Sequence, residues 1–309
     1  MTDDAGERPR SYLIIVNPVA GSGDGGERAR ILAEGLPDDC EVRIVETEER
    51  GSAIEMAETH ADQVDRIIAV GGDGTLNEAL TGLMCARRSE KEIAALGFLP
   101  SGTANGAAKA FGFTDRPEVA ACRLPTAGIR EVDVGIVEHA GGVRPFLLRF
   151  GAGLDAAVME ELNTSRTGVM GFLGLLRNAV GIVRTLSRYT DPDIAITVDG
   201  DDFATAASVV LPNVAEVGLQ AKMTEEPDPD DGKILVLAVS IPSKWSIVSL
   251  GLSMVFSSLQ SAAAVRTIRG ERVHLDSRGD VPFQLDGEPM GSLPVDVRLE
   301  RRALRLLLT

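Results

Sequence analysis

The sequence predicts an α/β protein of two domains, a parallel sheet wrapped by helices followed by a β-rich domain. Three observations carry that prediction. Short apolar runs alternate with helical segments through the first part of the chain, and several of those runs end in glycine-rich loops. Beyond residue 138 the pattern changes to strand-length runs bounded by turn residues. At 309 residues, 44% hydrophobic and 25% charged, the chain is long enough for two cores. The boundary falls at 1–134 and 135–309, and the last strand is free to return to the first domain.

The elements follow in order. "SYLIIV" (11–16) is a buried strand, then comes the loop "NPVAGSGDGG" and a helix "ERARILAEGL". "EVRIVET" (41–47) is a strand, "SAIEMAETHAD" a helix, and "DRIIAV" (65–70) a third strand. "TLNEALTGLMCAR" is helical, "IAALGFLP" (93–100) a strand, and "TANGAAKAFGF" opens another turn or helix. "REVDVGIVE" (130–138) leads into "RPFLLRFG", "DIAITVDGDDFATAASVVLP", "KILVLAVS", "RVHLDS", "PVDVRLE" and "ALRLLLT", all read as strands. Two helical insertions are expected near 169–188 and 244–265. The second has a long acid-free apolar run, but its serines and Gln260 argue against a membrane span.

A formal net charge of −15 with three scattered histidines argues against a nucleic-acid surface. It also disfavours wholesale adsorption to anionic membranes, so any transient membrane contact must be local. Residues 162–190, with Arg166, Arg177, Arg184 and Arg188 and no acid within the arginine stretch, are the candidate patch; a buried helix with solvated arginine ends explains them equally well. Cys40, Cys85 and Cys122 fit neither a zinc pattern nor a disulfide framework. The polar start "MTDDAGERPR" has no apolar stretch, so the expected compartment is cytoplasmic, with peripheral attachment to the inner membrane face left open. A homodimer is left open too.

The chemistry gathers at the loops. "GGDGTLNEA" (71–79) stops a strand with two glycines and then offers a carboxylate. Glycines let backbone approach a ligand closely, and free N–H groups opening a helix attract anions. An aspartate among those amides repels phosphate unless a cation intervenes, which points to phosphate chemistry with Mg²⁺. Gly21, Gly23 and Gly26 satisfy G-x-G-x-x-G with Glu46 at a ribose-binding distance in sequence, yet "NPVA" separates the strand from the first glycine. That spacing disfavours a dinucleotide fold, and a flexible loop without a ligand is the plain alternative. There is no P-loop signature. "LPSGTANGAAKAFG" (99–112) supplies a third small-residue loop. Loops after successive parallel strands meet on one edge, where three of them form a candidate triphosphate cradle.

"NPVAGSG", "GGDGTLNEA" and "SGTAN", in this order, resemble the diacylglycerol kinase and sphingosine kinase catalytic-domain family, in particular its bacterial soluble lipid kinases. "FGAGLDAAV" (150–158), "DDGKILVLAV" (230–239) and "LDGEPM" (285–290) extend the likeness over nearly the whole chain. NAD kinases share "GGDGT" but lack the first and last of these elements. The resemblance implies a Rossmann-like three-layer nucleotide domain, a C-terminal β-sandwich with helical insertions, and ATP and a lipid alcohol meeting in the cleft between them. It implies a kinase that uses Mg²⁺, and it places Asn17, Gly21, Gly23, Gly71, Gly72, Gly74, Thr75, Glu78, Gly102, Thr103 and Asn105 at the nucleotide.

By the same resemblance Asp73 is the central carboxylate, either general base for the lipid hydroxyl or part of the Mg²⁺ network. Glu288 becomes a second catalytic carboxylate, although Asp286-Gly287 before it also reads as a plain hairpin turn. Asp133 and Asp231 are the implied metal ligands. A strand-end aspartate such as Asp133 is commonly structural, and "EEPDPDDGK" around Asp231 fails the EF-hand spacing. The chain also departs from the family: Gly106 stands where an aspartate is usual, and Ser22 where a lysine is common. A nucleotide-binding member without turnover and an NAD kinase are the rival readings.

Overall fold

The computed structural model describes residues 9–21, 23–102, 105–157, 159, 192–215, 226–240 and 264–308. Both expected helical insertions lie outside these residues except for 264–265, which open a strand. The chain divides into one unit of Met1–Asp133 with Arg301–Thr309 and a second of Val134–Glu300.

In the first unit, β1 (Ser11–Val16), β2 (Glu41–Glu46), β3 (Arg66–Gly71) and β4 (Ala95–Pro100) form a parallel sheet in the order β2-β1-β3-β4. The end of β16 (Val295–Leu308) joins it parallel to β4, Leu306 opposite Leu96. Every residue of β3 and β4 is buried, as strands covered on both faces require. On one face Tyr12, Ile14, Val16, Ile68 and Leu99 pack with Ala29 and Leu32 of α1 (Gly25–Glu34) and Ala120 and Ala121 of α5 (Pro117–Arg123). α2 (Ser52–His60) and α3 (Asp73–Arg88) pack against each other, α2 meeting β1 and α3 meeting β3 and β4. Each fully buried Leu, Ile or Val contributes on the order of 1.5–3 kcal/mol. α4 (Gly106–Phe111) is a short helix after β4.

The second unit is an antiparallel sandwich. One sheet runs β12 (Ala264–Gly270), β11 (Ile234–Ser240), β10 (Ser208–Pro212), β7 (Arg149–Gly153), β14 (Pro282–Leu285), β15 (Glu288–Ser292). The other holds the start of β16 beside β13 (Arg272–Ser277), β8 (Ile194–Val198) and β9 (Asp201–Ala206). Phe150, Val209, Val236 and Phe283 of the first meet Ile194, Ile196, Val273 and Val295 of the second in one core. β5 (Gly128–His139) pairs through its later residues with β6 (Gly142–Phe146).

Two sequence expectations need correction. "RPFLLRFG" is two strands, because the N–H groups of Leu147 and Leu148 turn to the Asp286 carboxylate instead of a strand partner. "PVDVRLE" and "ALRLLLT" are one strand, β16. The charged stretch between them is bridged where Arg302, at φ 47°, donates its N–H to Asp133. α5 falls in a stretch that received no assignment from sequence; Pro117 occupies its first turn, where no N–H is needed.

Candidate active site

The C-terminal ends of β1, β3 and β4 bring three loops together. Asn17 donates its N–H to the Val70 carbonyl at 2.9 Å, and Ser101 donates its own to the Gly71 carbonyl at 2.7 Å. The approach is close: a Cβ on Gly21, at φ 63°, would lie 1.7 Å from the Ser101 carbonyl oxygen. One on Gly102 would lie 2.8 Å from the Gly72 Cα. The described residues of the "NPVAGSG", "GGDGT" and "SGTAN" loops therefore meet in close backbone contact at one edge of the sheet.

The individual residues fall as follows. Asn17 holds the first loop, its Oδ1 accepting the Val19 N–H at 3.1 Å and its Nδ2 lying 3.4 Å from Thr75 Oγ1. Gly23 also has positive φ, 81°. Gly71 lies against the Thr75 side chain, Gly72 is the extended residue before α3, and Gly74 and the buried Thr75 are in its first turn. The leading N–H groups of α3 lack intrahelical partners and favour an anion there. Glu78 Oε1 accepts the Gly51 N–H at 3.0 Å, which anchors the start of α2. Thr103 lies outside the described residues.

Asp73 is committed to the backbone. Its two oxygens accept the N–H groups of Gly106 at 2.9 Å and Ala107 at 3.0 Å, tying the second glycine loop to the start of α4. An ionised carboxylate has about four acceptor positions, so roughly two remain for a cation or a hydroxyl. Asn105, in the left-handed region at φ 48°, donates from Nδ2 to the Gly102 carbonyl at 2.8 Å. Its Oδ1, and Ser101 Oγ four residues earlier, are buried and have no partner among the described residues. Buried polar atoms are ordinarily satisfied, so these two oxygens stand out at the loop ends. Ser101 was not singled out from sequence; its place after a buried strand and before Gly102 was the available signal.

In the second unit Asp286 (φ 51°) and Gly287 (φ 91°) form the tight turn of the β14–β15 hairpin, and Glu288 is the first residue of β15. Asp133 is fully buried, its Oδ1 accepting the Arg302 N–H at 2.7 Å, the structural use open to a strand aspartate. Asp231 does not fit a metal. Its Oδ2 is ion-paired with Arg269, its Oδ1 accepts the Lys233 N–H at 2.8 Å, and Arg269 Nη2 donates to the Glu226 carbonyl at 2.5 Å. A guanidinium thus occupies the carboxylate for which a cation had been implied. Among the described residues no group of three or more His, Cys, Asp or Glu is placed to hold a metal ion. Mg²⁺ in phosphoryl transfer is held largely by phosphate oxygens with one or two carboxylates, a requirement that the remaining acceptor positions of Asp73 meet.

Fold and loops define a class: an α/β domain with a parallel sheet, continued by an antiparallel sandwich. Family models match in the same two parts, the diacylglycerol kinase catalytic domain over residues 11–137 and the YegS C-terminal NAD kinase beta sandwich-like domain over residues 149–308. The chain belongs to the diacylglycerol kinase catalytic-domain family, in the branch that carries this sandwich domain. It is 24% identical over 302 residues to a diacylglycerol kinase of Mycobacterium tuberculosis (strain ATCC 25618 / H37Rv), covering 95% of this chain and 93% of that one. It also shares its fold with a crystal structure of a diacylglycerol kinase from Bacillus anthracis str. Sterne, at TM-score 0.70 and 21% identity over 98% of each chain. Among the described residues no helix is long and apolar enough to cross a membrane.

Proposed function

We propose that this protein transfers the γ-phosphoryl group of ATP to a lipid hydroxyl, with diacylglycerol-like acceptors first and sphingoid or other lipid alcohols second. The observation that carries the reading is the convergence of three loops at the ends of β1, β3 and β4, with two buried oxygens, Ser101 Oγ and Asn105 Oδ1, that have no partner among the described residues. In-line transfer needs little covalent help from protein; it needs positioning and neutralisation of phosphate charge. The loop backbone and the start of α3 position the phosphates. Mg²⁺, when bound, offsets the charge on their oxygens.

Asp73 keeps the second and third loops in register and offers its free lone pairs on the phosphate side. Glu288 is the carboxylate assigned to accept the proton of the attacking hydroxyl, which does not ionise unaided at neutral pH. Residues 162–190 are proposed as a transient membrane-contact patch; unchanged sedimentation with anionic vesicles after Arg177→Glu plus Arg184→Glu removes that role. The reading as a whole is tested by incubating pure protein with labelled ATP, Mg²⁺ and a panel of lipid alcohols. Label in a lipid phosphate supports it, and ATP binding without transfer to any lipid favours the non-catalytic alternative.

A further inference from the structure

The second unit contains a closed circuit of polar groups around the turn that bears Glu288. Asp286 Oδ2 accepts the N–H of Leu147 at 2.9 Å, and its Oδ1 accepts those of Leu148 at 2.8 Å and Arg149 at 2.9 Å. The Arg149 side chain continues the circuit, donating from Nη1 to Asp155 Oδ1 at 2.9 Å. Asp155 Oδ2 accepts from Gln284 Nε2 at 2.8 Å, and Gln284 Oε1 accepts the Gly287 N–H at 2.6 Å, which returns to the turn. Gln284 is fully buried and Arg149 nearly so. Space for the junction depends on Gly151, where a Cβ would lie 1.8 Å from Asp155 Oδ2.

This wiring has a direction. A primary amide has a donor end and an acceptor end, and it can turn over unless its surroundings tell them apart. The Asp155 carboxylate accepts only, so it selects the orientation of Gln284 that puts Oε1 on the Gly287 N–H. Arg149 in turn neutralises Asp155 and holds its other oxygen, without which a largely buried carboxylate is costly. We propose that Asp155 is a positioning residue which, through Gln284 and the Gly287 N–H, sets the backbone from which the Glu288 carboxylate acts. The inference rests on the catalytic reading of Glu288 given above and adds to it the groups that aim that carboxylate.

The test is a reciprocal exchange. Asp155→Asn turns an amide N–H toward either Arg149 or Gln284, and Gln284→Glu sets two carboxylates against each other. The double variant restores the pattern: the new amide accepts from Arg149 and donates to the new carboxylate, whose other oxygen accepts from Gly287. Phosphorylation of a short-chain diacylglycerol in mixed micelles is measured with the full chain, against ATP, and normalised to the folded fraction by circular dichroism. Each single change should lower kcat about 10-fold to 10²-fold, the scale of a misplacement near 1 Å, with KM for ATP within about twofold. The double variant should recover most of that loss, which a purely stabilising contact would not do in kcat. If Asp155→Asn does not fold, Gln284→Met removes the Gly287 acceptor and leaves the Arg149–Asp155 pair in place, with the same expected kcat loss. Single variants and Gln284→Met at parental kcat, beside an inactive Glu288→Gln, overturn the positioning role. A fully active Glu288→Gln instead overturns the catalytic reading beneath it.

Discussion

Asp73→Asn separates two roles that the sequence motif merges. In the parent each Asp73 oxygen accepts one backbone N–H, from Gly106 and from Ala107, at 2.9 and 3.0 Å. Asparagine keeps one acceptor and turns its NH₂ toward the other donor. One charge-assisted bond becomes neutral and the other is lost; hydrogen bonds to charged groups contribute about 1.5–3 kcal/mol each, and an orphaned donor costs about 1–3. The local loss is therefore about 2–4 kcal/mol, which increases opening of the α4 start about 30-fold to 700-fold. Hydrogen exchange of the Gly106 and Ala107 amides reads this directly, in apo protein and without any substrate. Turnover should fall at least 10²-fold in the same variant, through both the displaced loop and the missing charge. Unchanged exchange at those two amides would refute the structural half, and activity within tenfold of the parent would refute the catalytic half.

Three further outcomes are expected. Gly21→Ala should raise KM for ATP at least about tenfold, because the new Cβ needs the space of the Ser101 carbonyl and a left-handed backbone that costs about 1–2 kcal/mol outside glycine; parental nucleotide kinetics would show that the loop does not meet the ligand. The melting temperature of the parent should be indifferent to Mg²⁺ or chelator, while Arg269→Met should melt lower and be restored by Mg²⁺, since Asp231 then lacks its guanidinium; Mg²⁺ stabilisation of the parent that disappears in Asp231→Asn would show a metal there after all. Burial, and then the charge of Arg144, hold His139 below its ordinary 6.5, so the unfolded chain takes up that proton first and stability falls as pH drops through 6.5 toward the folded value; urea midpoints at pH 7.5 and 5.5 should converge in His139→Phe, and an unchanged gap between them would remove His139 as its source.

What could be read from the sequence was local. The loops "NPVAGSG", "GGDGT" and "SGTAN" were recognisable because glycines directly after buried strands have few other uses, and parallel topology then brings them to one edge. The hairpin at Asp286-Gly287 was readable for the same reason. Long-range polar partners were not. Gln284 in "PFQLDG" looks like a polar lapse in a strand, and only a partner 129 residues away explains its burial. Arg269 sits in "TIRGER" as one of several arginines, with nothing to mark it as the partner of Asp231 38 residues earlier. The break expected at Arg301-Arg302 failed likewise, since the bond that carries the strand across it comes from Asp133, 169 residues away.

Three Asp-containing turns show how far such motifs carry a functional reading. Asp286 gathers three remote backbone N–H groups and Asp73 two, and Asp199, before Gly200 in a hairpin that no motif includes, accepts those of Glu271 and Arg272 at 2.9 and 2.8 Å. The same device recurs away from any candidate site, so an aspartate beside glycine is first an anchor for a distant segment. Catalytic assignment needs something further. For Asp73 the proposed role draws on its neighbourhood: the segment it holds follows Ser101 and Asn105, whose buried oxygens have no partner among the described residues. Asp199 has no such neighbours assigned to it among the described residues. Glu288 differs again, being the carboxylate next to an anchored turn rather than the anchor itself, so that Asp286 and Gln284 hold the backbone that carries the proposed catalytic group.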